Sequence, residues 1–98
     1  MTLHILNKSP SADALIKRML CAIEDGDAII MIEDGVLGAL DAHQGLFSSI
    51  PDNVALFALE ADLEARGITS RISEQVSIAD DKQFVVLCSD MDKTVSWY

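Results

Sequence analysis

Ala28-Ile29-Ile30-Met31-Ile32, followed at once by Glu33-Asp34-Gly35, is the stretch that decides the fold. Its apolar residues run on without alternation, so neither side of the segment is built for water. A run this short and this apolar is far below the length that spans a bilayer. It reads instead as a central strand covered on both faces, the situation of inner strands in parallel sheets. Glu33-Asp34-Gly35 then stops it in a turn, with Asp34 placed to cap a short helix over residues 36–42.

Upstream, residues 3–6 read as a first strand, broken by Asn7-Lys8-Ser9-Pro10. Ser9 or Ser11 can cap a helix there, and Pro10 suits a first helical turn. Ala12, Leu15, Ile16, Met19, Leu20 and Ile23 recur at three- and four-residue intervals, which makes one stripe of an amphipathic helix. Gly26 is placed to end that helix with a positive φ.

Downstream, residues 43–49 read as loop, with Leu46 and Phe47 able to pack down, and residues 53–59 as a third strand. Residues 60–66 carry acids early and Arg66 late, in the order the helix dipole favours, with Gly67 as terminator. Residues 76–79 form a fourth strand. Asp80 or Asp81 caps a last helix through Phe84, Leu87, Cys88 and Met91, and residues 94–98 close the sheet as a short fifth strand. Strand and helix alternate throughout. The expected fold class is therefore α/β: one small domain over residues 1–98, an open, mostly parallel sheet of about five strands with helices on both faces.

The composition narrows the function. The chain has 98 residues, of which half are apolar, and a formal charge of −9. Direct contact with a nucleic-acid backbone is not expected, since phosphates are held by clustered Lys and Arg. So apolar a small chain either packs efficiently or covers part of its surface with a partner. Residues 36–50 are the candidate docking stretch, because Leu37, Leu40, Leu46, Phe47 and Ile50 are many apolar residues for a loop-rich region. There is no charged leader before an apolar run and no membrane-spanning stretch, so the cytoplasm is the expected location.

Catalytic signatures are sparse. No glycine-rich phosphate loop or nucleophile elbow occurs, and Asn7-Lys8-Ser9-Pro10 is not a phosphate cradle, so no cofactor is expected. His43 has no second ligand at metal spacing, so no metal is expected either. Glu33-Asp34 lies at the carboxyl edge, where open α/β sheets bind ligands and a carboxylate pair could do acid-base work, but a turn with a helix cap is the commoner reason for such residues. His4, among apolar neighbours, reads as a hydrogen-bonded structural residue. Cys88 sits on the apolar stripe of the last helix and is expected to be buried. Cys21 lies nearly opposite the stripe of its own helix and should face outward. Lys17 and Arg18 bring positive charge to its side, Glu24 and the helix C-terminus negative charge.

Three stretches, in order and at matching spacing, resemble the TusB/DsrH family. They are Leu3-His4-Ile5-Leu6-Asn7-Lys8-Ser9-Pro10; Gly26-Asp27 leading through the apolar strand into Glu33-Asp34-Gly35-Val36; and Ala58-Leu59 followed by Asp62-Leu63 and Ala65-Arg66-Gly67-Ile68. Phe84-Val85 and Trp97 fit as well. The resemblance implies a flavodoxin-like or Rossmann-like fold and a non-catalytic subunit of a sulfur-relay complex. It further implies partners of the TusC/DsrF and TusD/DsrE types in a heterohexamer, in which persulfide sulfur passes between cysteines and the principal carrier lies on the TusD/DsrE-type subunit. The TusB branch supports 2-thiolation of the tRNA wobble uridine; the DsrH branch serves dissimilatory sulfur oxidation. DsrH-type members carry a cysteine in the first helix. Counted without gaps from Ser9-Pro10, that position is Met19 here, two residues and about 200° of helix from Cys21. This departure favours the TusB branch. The alternatives are a DsrH-type subunit with Cys21 as persulfide acceptor, and a homo-oligomeric regulatory or ligand-binding module.

Overall fold

The computed structural model describes residues 1–98, and all five strands are parallel. They are β1 (Thr2–Leu6), β2 (Ala28–Met31), β3 (Ala55–Leu59), β4 (Val76–Ala79) and β5 (Lys93–Trp97), and the helices are α1 (Asp13–Ala22), α2 (Glu60–Ala65) and α3 (Asp81–Asp90). The spatial order β4-β3-β2-β1-β5 explains the layering. Successive crossovers from β1 to β4 all step one way across the sheet, and β4 to β5 steps back over its whole width. Because parallel crossovers are right-handed, reversing the step moves the connecting helix to the other face. Hence α3 lies alone on one side.

The two faces are unequally filled. On the first, Leu6, Ile29, Met31, Leu56, Ala58 and Val76 pack with Ile16 and Met19 of α1 and Leu63 of α2. On the second, a smaller cluster of Leu3, Ala28, Ile30 and Ala79 meets Phe84, Leu87 and Met91 from α3 and its end. All four residues of β2 are buried, as its unbroken apolar run requires.

Some boundaries differ from those the sequence suggests. Neither serine caps α1: the N-cap position is Ala12, while Ser9 and Ser11 hydrogen-bond to each other at 2.6 Å. Pro10 belongs to a turn closed by Ala12 N–H on the Ser9 carbonyl, ahead of the helix. Helix α1 ends at Ala22, with Ile23 already extended. Gly26 has the expected positive φ of 81°, but it serves the Glu24–Asp27 turn that swings the chain into β2. Asp34 caps nothing, because residues Glu33–Ala39 and Asp41–Phe47 are 3-10 helices without side-chain caps.

The apolar surplus of residues 36–50 goes inward. Val36, Ala39 and Phe47 are buried, and Leu37, Leu40, Leu46 and Ile50 pack against the same core. A 3-10 path brings so many of these side chains down because its residues fall on three rows, i and i+3 being eclipsed. None of the apolar side chains expected to form a docking surface there is fully exposed.

Candidate functional site

The most elaborate polar arrangement is buried at the centre of the first face. His4, in mid-β1, is 2% exposed, and Asp27, just before β2, is 4% exposed. Three donors converge on the Asp27 carboxylate: the Thr2 N–H at 2.8 Å, the Glu24 N–H at 3.0 Å and His4 Nε2 at 3.0 Å. Burial pushes the Asp27 carboxyl up, and the hydrogen bonds from Glu24, His4 and Thr2 outweigh it, holding it below the ordinary value of 3.8. On the other side of the imidazole, Trp97 Nε1–H donates to His4 Nδ1 at 3.0 Å. An indole N–H can only donate, so Nδ1 must offer its lone pair and Nε2 must carry the proton. The result is one neutral tautomer of His4, fixed from both sides.

A carboxylate that orients a histidine is half of a nucleophilic triad. Here the other half is missing, because Trp97 occupies the nitrogen a nucleophile would use. The network fastens three strands instead, which is the structural role read for His4. Its partners are not readable along the chain, since Asp27 and Trp97 lie 23 and 93 residues away from it.

At the carboxyl edge, Glu33-Asp34-Gly35 is held as a structural joint. Glu33 has φ 51°, an uncommon value for a residue with a side chain, and its N–H donates to Asp62 Oδ2 at 2.7 Å. Arg66 donates to Asp34 at 2.8 Å and to the Asp62 carbonyl at 3.3 Å, tying the β2 turn to α2. Gly35 is buried against the Leu6 carbonyl and Asn7 at the end of β1. In doubly wound sheets ligands enter beside strand ends where the order reverses, which here is between β1 and β5; Gly35 closes the neighbouring β1–β2 end with backbone.

The two thiols are far from this network in role, and both are exposed. Cys21 faces outward from α1 as its phase indicated. Cys88 does not follow the expectation of burial. Helix α3 has no fully buried residue, and only Phe84 and Leu87 are even partly covered, so its contact stripe is narrow and Cys88 falls outside it. No group of three His, Cys, Asp or Glu side chains is arranged to hold a metal ion. No helix is long and apolar enough to cross a membrane.

What remains open is the α3 surface. Val85 and Val86 are 68% and 53% exposed, and Ile78 is 37% exposed. Beside them a shallow groove of about 300 Å³ is lined by Phe57, Lys82, Gln83, Val86 and Leu87. Met1, Val95 and Tyr98, elsewhere on the surface, are the other large apolar side chains left exposed.

Fold and site together define a small, all-parallel α/β module whose buried polar groups fasten strands and whose two thiols are exposed. Comparison with known proteins makes that class specific. Residues 8–94 match the family model described as DsrH like protein. Proteins named TusB match along nearly their whole length: 34% identity over 95 residues in Pectobacterium parmentieri, 37% over 98 residues in Enterobacter sp. strain 638, and 34% over 97 residues in Escherichia coli O6:K15:H31, each covering 97% of this chain and 99% of the relative. The chain belongs to the TusB/DsrH family and is TusB-like. The fold is shared with the ychN protein of E. coli, at TM-score 0.72 and 15% identity over 98% of this chain and 97% of that one. It is shared also with MTH1491 of Methanobacterium thermoautotrophicum, described as a protein of unknown function, at TM-score 0.69 and 17% identity over 97% and 96%.

Proposed function

We propose that this chain is a TusB-type subunit of a sulfur-relay complex, acting in the cytoplasm to support 2-thiolation of the tRNA wobble uridine without catalysing a step itself. As a single domain over residues 1–98, it assembles with TusC/DsrF-like and TusD/DsrE-like subunits into a heterohexamer, and it needs no cofactor. The observation that carries this reading is end-to-end similarity to proteins named TusB at more than 30% identity. Two structural features agree with it. The His4–Asp27–Trp97 network has no nitrogen free for substrate, and the exposed strip along α3 offers a surface for a partner.

A second reading makes Cys21 a persulfide acceptor in a DsrH-type complex, and the exposure of its thiol favours it. The two separate in one experiment. In a strain lacking its own TusB protein, this chain restores the 2-thiouridine content of tRNA, read by nucleoside mass spectrometry, and Cys21→Ser restores it as well. Failure of both proteins to restore thiolation, while folded and expressed, refutes the proposal. Failure of Cys21→Ser alone makes Cys21 a persulfide acceptor within the thiolation relay rather than in a DsrH-type complex.

A further inference from the structure

We infer that His4 is a pH-operated latch on the edge strand β5: protonation of its imidazole releases Trp97 and frees the C-terminal end of that strand. Strand β5 is the outermost on its side and pairs only with β1. Of its side chains only Trp97 is even partly buried, the other four being exposed. Trp97 packs on the first-face core, its ring lies 21° from the His4 plane, and its single polar atom donates to His4 Nδ1. That bond exists only while Nδ1 has a free lone pair. A proton placed on Nδ1 sets two N–H groups against each other, and the docked indole then opposes the protonated state.

The surroundings give the switch a direction. Of the groups bonded to His4, Asp27 alone is charged; its register neighbours are Ile29 and Val95, the inward side chains of α1 are Ile16 and Met19, and the Glu24 side chain and the Met1 ammonium near Asp27 are exposed. The charged residues of α1, Asp13, Lys17 and Arg18, are exposed. Asp27 can keep its hydrogen bond from Nε2–H in either protonation state. Trp97 is therefore the partner that protonation displaces. At the start of β5 the Met1 ammonium pairs with Asp92 at 2.8 Å. That contact holds the Met1 amine above its ordinary range and Asp92 below its own, so both stay charged between about pH 5 and 8, where imidazoles change charge. One end of the strand stays fastened while the other is let go.

Trp97 is the only tryptophan, and it reports directly. Hydrogen exchange of the β5 amides that bond to β1 is measured from pH 8 to 5 relative to β2 amides, with tryptophan emission and ¹⁵N shifts of the His4 ring followed in parallel. As His4 takes up its proton, exchange at β5 accelerates relative to β2 by roughly two- to tenfold, the factor for one lost hydrogen bond. Emission shifts to the red over the same pH interval. Trp97→Phe, which keeps an aromatic ring and lacks the N–H, makes His4 protonate at higher pH, by the reciprocity of linked equilibria. A titration of His4 unchanged in Trp97→Phe overturns the latch. So does β5 protection that stays constant while His4 protonates, or that falls in step with β2, which is global loosening.

Discussion

Gly35→Ala is the substitution in which a single methyl group should do the most harm. A Cβ at this position would run into the Leu6 carbonyl oxygen, lying 2.9 Å from the carbonyl carbon and 3.3 Å from Asn7 Cα. All three obstacles are backbone, so no side chain can rotate aside. Relief requires the turn after β2 to lift off the end of β1. That movement strains the Ile32 N–H bond to the same Leu6 oxygen, now 2.9 Å long. Forcing the overpacked joint costs about 1–3 kcal/mol, and orphaning the buried carbonyl about 1–3 more. A net loss of about 2–6 kcal/mol is a large part of the roughly 5–15 kcal/mol by which small domains are stable. In urea, followed by far-UV circular dichroism and Trp97 emission, the midpoint should fall by roughly 1–3 M. Gly45→Ala is the control, since a Cβ there meets nothing within 4 Å. It should change stability by less than about 1 kcal/mol, towards greater stability. Equal midpoints for the two variants would refute the close approach of Gly35 to β1.

Asp27→Asn should cost about 1–3 kcal/mol at neutral pH, because the amide NH2 faces groups that are themselves donors. The wild-type carboxyl is held below its ordinary 3.8, so its stabilisation is complete above that value and fades as pH falls through the lower native one. Chemical denaturation should accordingly show the gap between the two proteins narrowing below about pH 4, and a constant gap would contradict this. Asp80 accepts from the Gln83 N–H at 2.8 Å while the Gln83 side chain accepts from the Asp80 N–H at 2.8 Å. Removing this capping box with Asp80→Ala should cost about 1 kcal/mol in thermal unfolding, with no loss counting against it. Both thiols should react with a disulfide reagent without denaturant, giving two equivalents per chain; one equivalent would mean that Cys88 is shielded in solution.

Periodic apolar patterns made the architecture legible. The unbroken run at Ala28–Met31 is wholly buried, and the α1 stripe places Ile16 and Met19 in the core as its spacing requires. What failed were inferences needing knowledge of what lies across space. Cys88 occupies a helix that looks amphipathic in isolation, yet a single helix on a broad face contacts it along a narrow line. The 36–50 segment looked like a surplus of surface because the 3-10 path that folds it under was not visible in its sequence. Likewise His4 read correctly as structural, but pairing it with Asp27 and Trp97 required the register β2-β1-β5. Those three residues come from separate stretches of the family resemblance, and in the fold they meet at one point.

Co-expression with the organism's TusC- and TusD-like proteins, followed by native mass spectrometry of what co-purifies, tests the central claim most directly. The account requires one complex holding the three chains in equal amounts, with the mass of two copies of each. Recovery of this chain alone as a homo-oligomer, beside folded partners, would leave the family fold standing and contradict its role as a relay subunit.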